Sequence, residues 1–259
     1  MSDEILLQRD GAIATVVLSN PDKLNALTKK MWKRLGEMTR EIAADDKLRC
    51  VVMRGAGDKA FAAGADISEF AAERAGAAAA KPYGDIIHAT MQAIAQCRHP
   101  TLAMIKGACV GGGLEIAAMC DLRICGQSSR FGVPINKLGL TMGYGELQGL
   151  LALAGRATTL EILLEGRVFA AAEAHAKGLV TRVVADDKVE EEAYATARRI
   201  AEGAPLVARW HKRFIRRLED PKPFDKSEWD EGFACFDSED YRVGFQAFLD
   251  KKKPEFKGN

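Results

Sequence analysis

The sequence predicts an α/β fold, and three features of it predict that class. Short apolar runs rich in β-branched residues recur at 13–18, 50–53, 101–105 and 122–125. Between them lie segments whose apolar residues return every three or four positions, the period of a helix buried along one side. Beyond about Glu146 the pattern turns mostly helical. Strands that alternate with helices need crossover connections, and a sheet covered by those helices satisfies them.

The elements follow in order. The strand at 13–18 runs into a turn, Ser19-Asn20-Pro21-Asp22. Thr28 can cap a helix in which Met31, Leu35, Met38 and Ile42 share one face. Cys50-Val51-Val52-Met53 is a buried strand that ends at Arg54-Gly55-Ala56-Gly57, and a helix at 83–95 follows the alanine-rich stretch 71–80. The strand at 101–105 leads to Gly111, Gly112 and Gly113, which open an apolar helix at 114–119, and 122–125 returns as a strand. Helices are expected at 160–164, at 170–177 with Gly178 as C-cap, and at 188–202, with 179–184 as the one later strand. From Pro205 the chain is helical and charged, with Phe233, Phe236, Phe245 and Phe248 set among the charges. Such a segment suits a lobe packed on a neighbouring subunit, or one whose phenylalanines cover their own core. The chain divides into a core at 1–200 and a helical lobe at 201–259, with no internal repeat.

Composition narrows the partners. The 259 residues, 47% hydrophobic and 28% charged, suit one large domain or a domain with a small appendage. With 37 Lys+Arg against 36 Asp+Glu there is no global field to gather nucleic acid or an anionic membrane, so any anion site is local. The acidic start, Met1-Ser2-Asp3-Glu4, argues against a signal peptide, and no run approaches the roughly 20 apolar residues of a membrane span. Cys50, Cys97, Cys109, Cys120, Cys125 and Cys235 lie in apolar contexts without a CxxC pair, as buried free thiols of a reducing, cytoplasmic protein do. No basic partner near Cys109 marks it as a nucleophile. His88, His99, His175 and His211 lack the spacing of a metal site or a catalytic triad and are expected to be structural or superficial. No metal and no separate cofactor is expected.

Two glycine segments carry the candidate chemistry: Phe61-Ala62-Ala63-Gly64-Ala65-Asp66-Ile67 after a strand, and Gly111-Gly112-Gly113-Leu114-Glu115 at a helix start. Glycine lets a backbone approach a ligand, and a helix start leaves N–H groups without intrahelical acceptors. Together they suit a pocket that donates hydrogen bonds to a developing oxyanion, although three glycines also serve a plain strand-to-helix turn. The spacing matches neither a dinucleotide fingerprint nor a phosphate-binding loop. Glu115 lies one turn into a helix otherwise made of Leu114, Ile116, Ala117, Ala118 and Met119. A carboxylate there is costly unless a pocket solvates it or a partner neutralises it, which marks it as a candidate acid or base.

Across almost its whole length the chain resembles the crotonase (enoyl-CoA hydratase/isomerase) superfamily. The resemblance rests on Asn20-Pro21-Asp22-Lys23-Leu24-Asn25-Ala26-Leu27, on residues 61–67, and on 111–120 continuing into Asp121-Leu122-Arg123-Ile124. Arg130-Phe131-Gly132-Val133-Pro134, Lys137-Leu138-Gly139-Leu140 and residues 170–184 complete it. It implies a spiral of ββα repeats with a C-terminal helical trimerisation lobe, assembled as a homotrimer or a dimer of trimers. It implies an acyl-CoA thioester as substrate, with coenzyme A entering only as part of it. The oxyanion hole it implies is formed by the N–H groups of Ala65 and Gly112. CoA is expected along Lys23, Leu24, Ala26, Ala63, Asp66 and Ile67. Lys251 is expected either to reach a neighbour's CoA or to be a surface charge.

One departure stands out. Hydratases of this family use two glutamates; Glu115 holds the place of one, and Ile135 stands where the other follows a proline. Many isomerases of the family use the carboxylate at that second position alone. Glu146 is the nearest substitute, or else a helix-start glutamate favoured by the dipole; Tyr144 or Asn136 could orient substrate instead. Gly143, where some dienoyl isomerases and dehalogenases carry an aspartate, argues against those branches. The sequence-based expectation is an enoyl-CoA hydratase, with a double-bond isomerase and a non-catalytic acyl-CoA-binding subunit as alternatives.

Overall fold

The computed structural model describes residues 4–259; the first three residues of the acidic N-terminal start lie outside it. Ten strands and ten α-helices follow one another among the described residues. The strands are β1 (Glu4–Asp10), β2 (Ile13–Ser19), β3 (Cys50–Gly55), β4 (Ala60–Ala62), β5 (Thr101–Ile105), β6 (Ala108–Val110), β7 (Leu122–Gly126), β8 (Arg130–Gly132), β9 (Phe169–Ala170) and β10 (Arg182–Val184). The helices are α1 (Lys29–Ala44), α2 (Phe70–Glu73), α3 (Ala77–Ala95), α4 (Gly112–Met119), α5 (Tyr144–Glu165), α6 (Ala171–Ala176), α7 (Val189–Ala201), α8 (Pro205–Leu218), α9 (Lys226–Asp230) and α10 (Glu239–Leu249).

The strands form two sheets. Six pair in the order β1-β2-β3-β5-β7-β10, parallel apart from the β1–β2 hairpin, and four pair as β4-β6-β8-β9. Successive units β3-β4, β5-β6 and β7-β8 each place one strand in the large sheet and the next in the small one. A helix then leads back to start the next unit. The result is the expected spiral of ββα turns. Register is set by apolar rows such as Val52 beside Leu102 and Met104 beside Ile124. One face of the large sheet is covered by Val189, Ala193 and Ala197 of α7, and the main core fills the other side.

Most expected elements are present. Thr28 caps α1 by accepting the Met31 N–H at 3.3 Å, and Met31, Leu35, Met38 and Ile42 are all buried. Removing such a cap costs about 1 kcal/mol. The departures have physical reasons. α3 starts six residues ahead of Tyr83, because the alanines at 77–80 propagate helix strongly enough to carry it past Pro82, which lies inside it. The strands β4, β6, β8 and β9 are only two or three residues long, too short to show a period. β1 is largely exposed, so it lacks an apolar face for sequence to reveal.

The expectation that no segment could span a membrane needs amending, since α5, at 22 residues, is long and apolar enough by composition. Gly155, with φ 68° and ψ 173°, breaks it. Each half rises only about 16 Å, well short of a bilayer core of about 30 Å.

The C-terminal helices dock on the spiral through α8. Lys212 pairs with Asp121 at 2.6 Å and donates to the His99 carbonyl at 2.8 Å, and Arg216 donates to the Ala95 carbonyl at 3.2 Å. His99 is fully buried, and burial pushes its imidazole down to about 4, so it is neutral and structural. Five of the cysteines are buried free thiols, and Cys235 is half-buried. Burial pushes the Cys50, Cys120 and Cys125 thiols up to about 12, far from a reactive thiolate.

Candidate active site

The two glycine segments meet. A Cβ on Gly64 would lie 3.4 Å from the Gly112 nitrogen, and one on Gly112 would lie 3.5 Å from the Gly64 Cα. The approach requires glycine: Gly64 has φ +104°, Gly111 has φ +54°, and a Cβ on Gly113 would sit 2.2 Å from the Ala62 carbonyl oxygen. Gly112 is the first residue of α4, so its N–H has no intrahelical acceptor. Among the described residues neither the Gly112 nor the Ala65 N–H finds a protein acceptor. Two free amides therefore flank one cavity, with the α4 dipole behind one of them.

The loop before α1 is stitched to the first glycine segment. Ala63 donates to the Leu24 carbonyl at 3.0 Å, Leu27 to the Gly64 carbonyl at 2.8 Å, and Asp66 to the Leu27 carbonyl at 2.8 Å. Lys23 pairs with the buried Asp66 at 2.6 Å. Burial alone would raise the Asp66 carboxyl, but hydrogen bonds from Lys23 and Ser68 outweigh it and hold it below the usual range. Asp66 therefore joins two loops, with its carboxylate already engaged. Lys23 and Leu24 are exposed beside Ala26, while Ala63 and Ile67 line one end of the cavity.

That cavity, about 120 Å³, is lined by Trp32, Gly64, Ala65, Gly112, Glu115 and Ile135 among others. It adjoins a wider cleft of about 850 Å³ lined by small residues, including Gly76, Ala77, Ala80 and Gly84 of the alanine-rich segment. Glu115 is 7% exposed. Burial pushes its carboxyl up to about 8, the charge of Glu146 adds to the rise, and Arg74 opposes it. A carboxyl poised in that range can take and return a proton near neutrality.

Glu146 lines both spaces, but its carboxylate accepts the Gly143 N–H at the start of α5. It is a helix cap and a cavity charge at once. Ile135 is an apolar wall. The Asn136 amide donates to the Leu164 carbonyl at 2.9 Å, and Asn136 lines neither space. Tyr144, 95% exposed, stands at the rim of the wider cleft. Lys251, two residues past the end of α10, has φ +53° and lines no part of this cavity. Among the described residues no cluster of metal-ligating side chains is present.

Sequence reasoning missed three side chains here. Trp32 lies beneath Gly112, held by the Thr90 hydroxyl, which donates to its carbonyl at 2.8 Å. Arg74 lines both spaces. Tyr83 is buried beside Arg74. The signal available for Arg74 was a lone cation in a stretch otherwise rich in alanine.

Comparison with known proteins agrees with this geometry. The family described as enoyl-CoA hydratase/isomerase matches residues 8–259. A short-chain-enoyl-CoA hydratase of Clostridium acetobutylicum is 31% identical, covering 98% of this chain and 97% of its own. A crotonyl-CoA hydratase of Syntrophomonas wolfei is 30% identical, covering 98% of both. The crystal structure of an enoyl-CoA hydratase/carnithine racemase from Magnetospirillum magneticum superposes with a TM-score of 0.97 at 50% identity, over 100% of this chain and 97% of that one. With the apposed glycine segments, the spiral and this full-length similarity, the chain belongs to the enoyl-CoA hydratase/isomerase family, the crotonase superfamily.

Proposed function

We propose that the protein adds water to a 2-enoyl-CoA, or removes it in reverse, with Glu115 as the sole proton carrier. The observation that carries this is Glu115 itself, a buried carboxyl with raised pKa in the same cavity as the two free amides. The thioester oxygen accepts hydrogen bonds from the Ala65 and Gly112 N–H groups. As water attacks the β-carbon, Glu115 takes one of its protons and the thioester becomes enolate-like. The two amides stabilise the charge gathering on oxygen, and losing such a donor typically costs about 3–4 kcal/mol of barrier. Glu115 then returns the proton to the α-carbon, so one water is consumed and the carboxylate is regenerated. Lys23, Leu24, Ala26, Ala63 and Ile67 provide the path for the CoA arm, with Asp66 holding Lys23 in place.

The test is hydration of crotonyl-CoA and longer or branched enoyl-CoA thioesters, followed by loss of the conjugated thioester absorbance. Turnover that collapses in Glu115→Gln supports the reading. No turnover with any of them, or an unchanged Glu115→Gln enzyme, removes it.

Ile135 favours a second reading, double-bond isomerisation by one shuttled proton. Deuterium exchange at the α-carbon without water addition would select it. We also take the chain to assemble as a homotrimer or a dimer of trimers through its C-terminal helices, a core at 1–200 bearing a lobe at 201–259. Lys251 would there meet a neighbour's CoA. The five buried free thiols support a cytoplasmic location.

A further inference from the structure

The cavity contains a cation that, among the described residues, forms no direct ion pair. Arg74 caps the end of α2 and lines both the narrow cavity and the wider cleft. Its guanidinium lies over the Phe70 ring at 4.4 Å and over the Tyr83 ring at 4.2 Å, and these contacts hold its plane. Among the described residues it has no ion-pair partner within 4 Å, although Glu115 and Glu146 line the same space. Its Nε is buried without an acceptor, whereas the Tyr83 hydroxyl faces both the guanidinium and the Trp32 indole. Trp32 and Tyr83 are each 1% exposed. A buried donor left unpaired by the protein is costly, and the Arg74 Nε is one, in a residue that lines the same cavity as the two amides.

The cavity and the wider cleft share Arg74 and Glu146 among their lining residues. Ala63 and Ile67 border the end proposed for the CoA arm; Arg74 stands at the junction with the glycine- and alanine-lined cleft. A purely apolar acyl chain would leave the guanidinium desolvated and unmatched, whereas a terminal carboxylate would meet its planar fork with paired charge-assisted bonds.

We propose that Arg74 reads a distal carboxylate, so that the preferred substrates are 2-enoyl-CoA thioesters whose acyl chain ends in a second carboxyl group. This rests on the reading of the cavity as the thioester site, and it adds the substrate class.

The test uses thioesters that cannot react, so that the influence of Arg74 on Glu115 does not enter. Two saturated CoA thioesters of equal chain length, one ending in a methyl group and one in a carboxylate, are bound to the intact protein by calorimetry. The carboxylate-terminated one is expected to bind at least about tenfold tighter, the scale of one good charge-assisted contact. In Arg74→Gln the ratio falls to about one or below; Arg74→Lys, a point charge without the fork, keeps part of it. Equal affinities in the wild type overturn the proposal, as does a preference that survives intact in Arg74→Gln. If Arg74→Gln does not fold, the wild-type ratio and its reduction in Arg74→Lys decide the matter. Failure of both thioesters to bind would sink the underlying site reading too. Absence of hydration with a preserved preference would sink only the assigned reaction.

Discussion

Glu146 lends its negative charge to the environment of Glu115 while its own carboxylate is tied to the Gly143 N–H. Among the described residues, the other carboxylate lining this cavity is thus already engaged as a helix cap. Its effect on chemistry runs through the proton affinity of Glu115, where it acts with burial and against Arg74.

That arrangement fixes a pH dependence. Glu115 must be ionised to take a proton from water, so kcat/KM for hydration is expected to rise with pH and to reach half its plateau near 8. Removing a neighbouring negative charge lowers a carboxyl pKa, so Glu146→Gln moves the rising limb to lower pH. Arg74→Gln moves it higher. Glu115→Gln loses roughly 10²–10⁴ in rate. Stability runs the other way. The folded protein still holds the Glu115 proton between the ordinary carboxylate range and about 8, where the unfolded chain has released it. Its contribution therefore falls as pH rises through that window, and Glu115→Gln flattens the fall. Steady-state profiles and urea midpoints across pH measure both; a limb that ignores Glu146→Gln contradicts the pairing.

Adjacent glycines separate chemistry from folding. A Cβ at Gly112 would meet the Trp32 ring at 2.8 Å, and Trp32 is locked in the core, so the amide must shift instead. Gly112→Ala is expected to fold and to lose about 10²–10³ in kcat, the cost of a misplaced oxyanion donor. At Gly113 the added carbon would meet backbone, the Ala62 carbonyl at 2.2 Å, and Gly113→Ala is expected to unfold far more readily. Circular dichroism and kcat, read together, check both. Equal effects from the two variants would show that Gly112 is there for packing alone.

Much of this site was legible in the residues. Gly111 to Gly113 followed by Glu115 is a local pattern, and the expense of a carboxylate in an apolar helix is a physical signal that needs no coordinates. The strands of the small sheet were not legible, because two or three residues carry no period and depend on partners far along the chain. Arg74 was hidden for a different reason. Its meaning comes from its place between two cavities and over two rings, which is visible only in three dimensions. The same holds for Trp32, whose apolar stripe in α1 reads as core while its edge supports Gly112.

The dock of the C-terminal helices depends on Asp121. It accepts from the Thr101 N–H at 2.7 Å and the Thr101 hydroxyl at 2.9 Å, and pairs with Lys212 at 2.6 Å. Lys212 is mostly buried and also serves the His99 carbonyl, so Lys212→Met removes one of the polar anchors of α8 and leaves the His99 carbonyl and the Asp121 charge without their cation. A loss of about 1–3 kcal/mol is expected. Faster amide exchange in α8 than in the β5 and β7 strands would localise it, whereas an unchanged urea midpoint would show that apolar contacts alone hold the lobe.

The aromatic residues of the C-terminal helices bear on a choice the sequence left open. Phe233, Phe236, Phe245 and Phe248 do not cover a core of their own chain, for they are 53–83% exposed. Tyr241 joins them, 5.0 Å from the Phe236 ring and 6.2 Å from that of Phe245. An aromatic cluster left this open to water marks an interaction surface, and a symmetric assembly of identical chains is the commonest way to cover one. The protein is therefore expected to sediment as a trimer or hexamer at micromolar concentration. Phe245→Glu combined with Phe248→Glu places charge where apolar contact is required and should release folded monomers. If Lys251 serves a neighbour's CoA, those monomers also bind CoA thioesters more weakly, since the lysine lies outside its own chain's cavity. A wild-type protein that sediments as a monomer would contradict the assembly and remove the role of Lys251 with it.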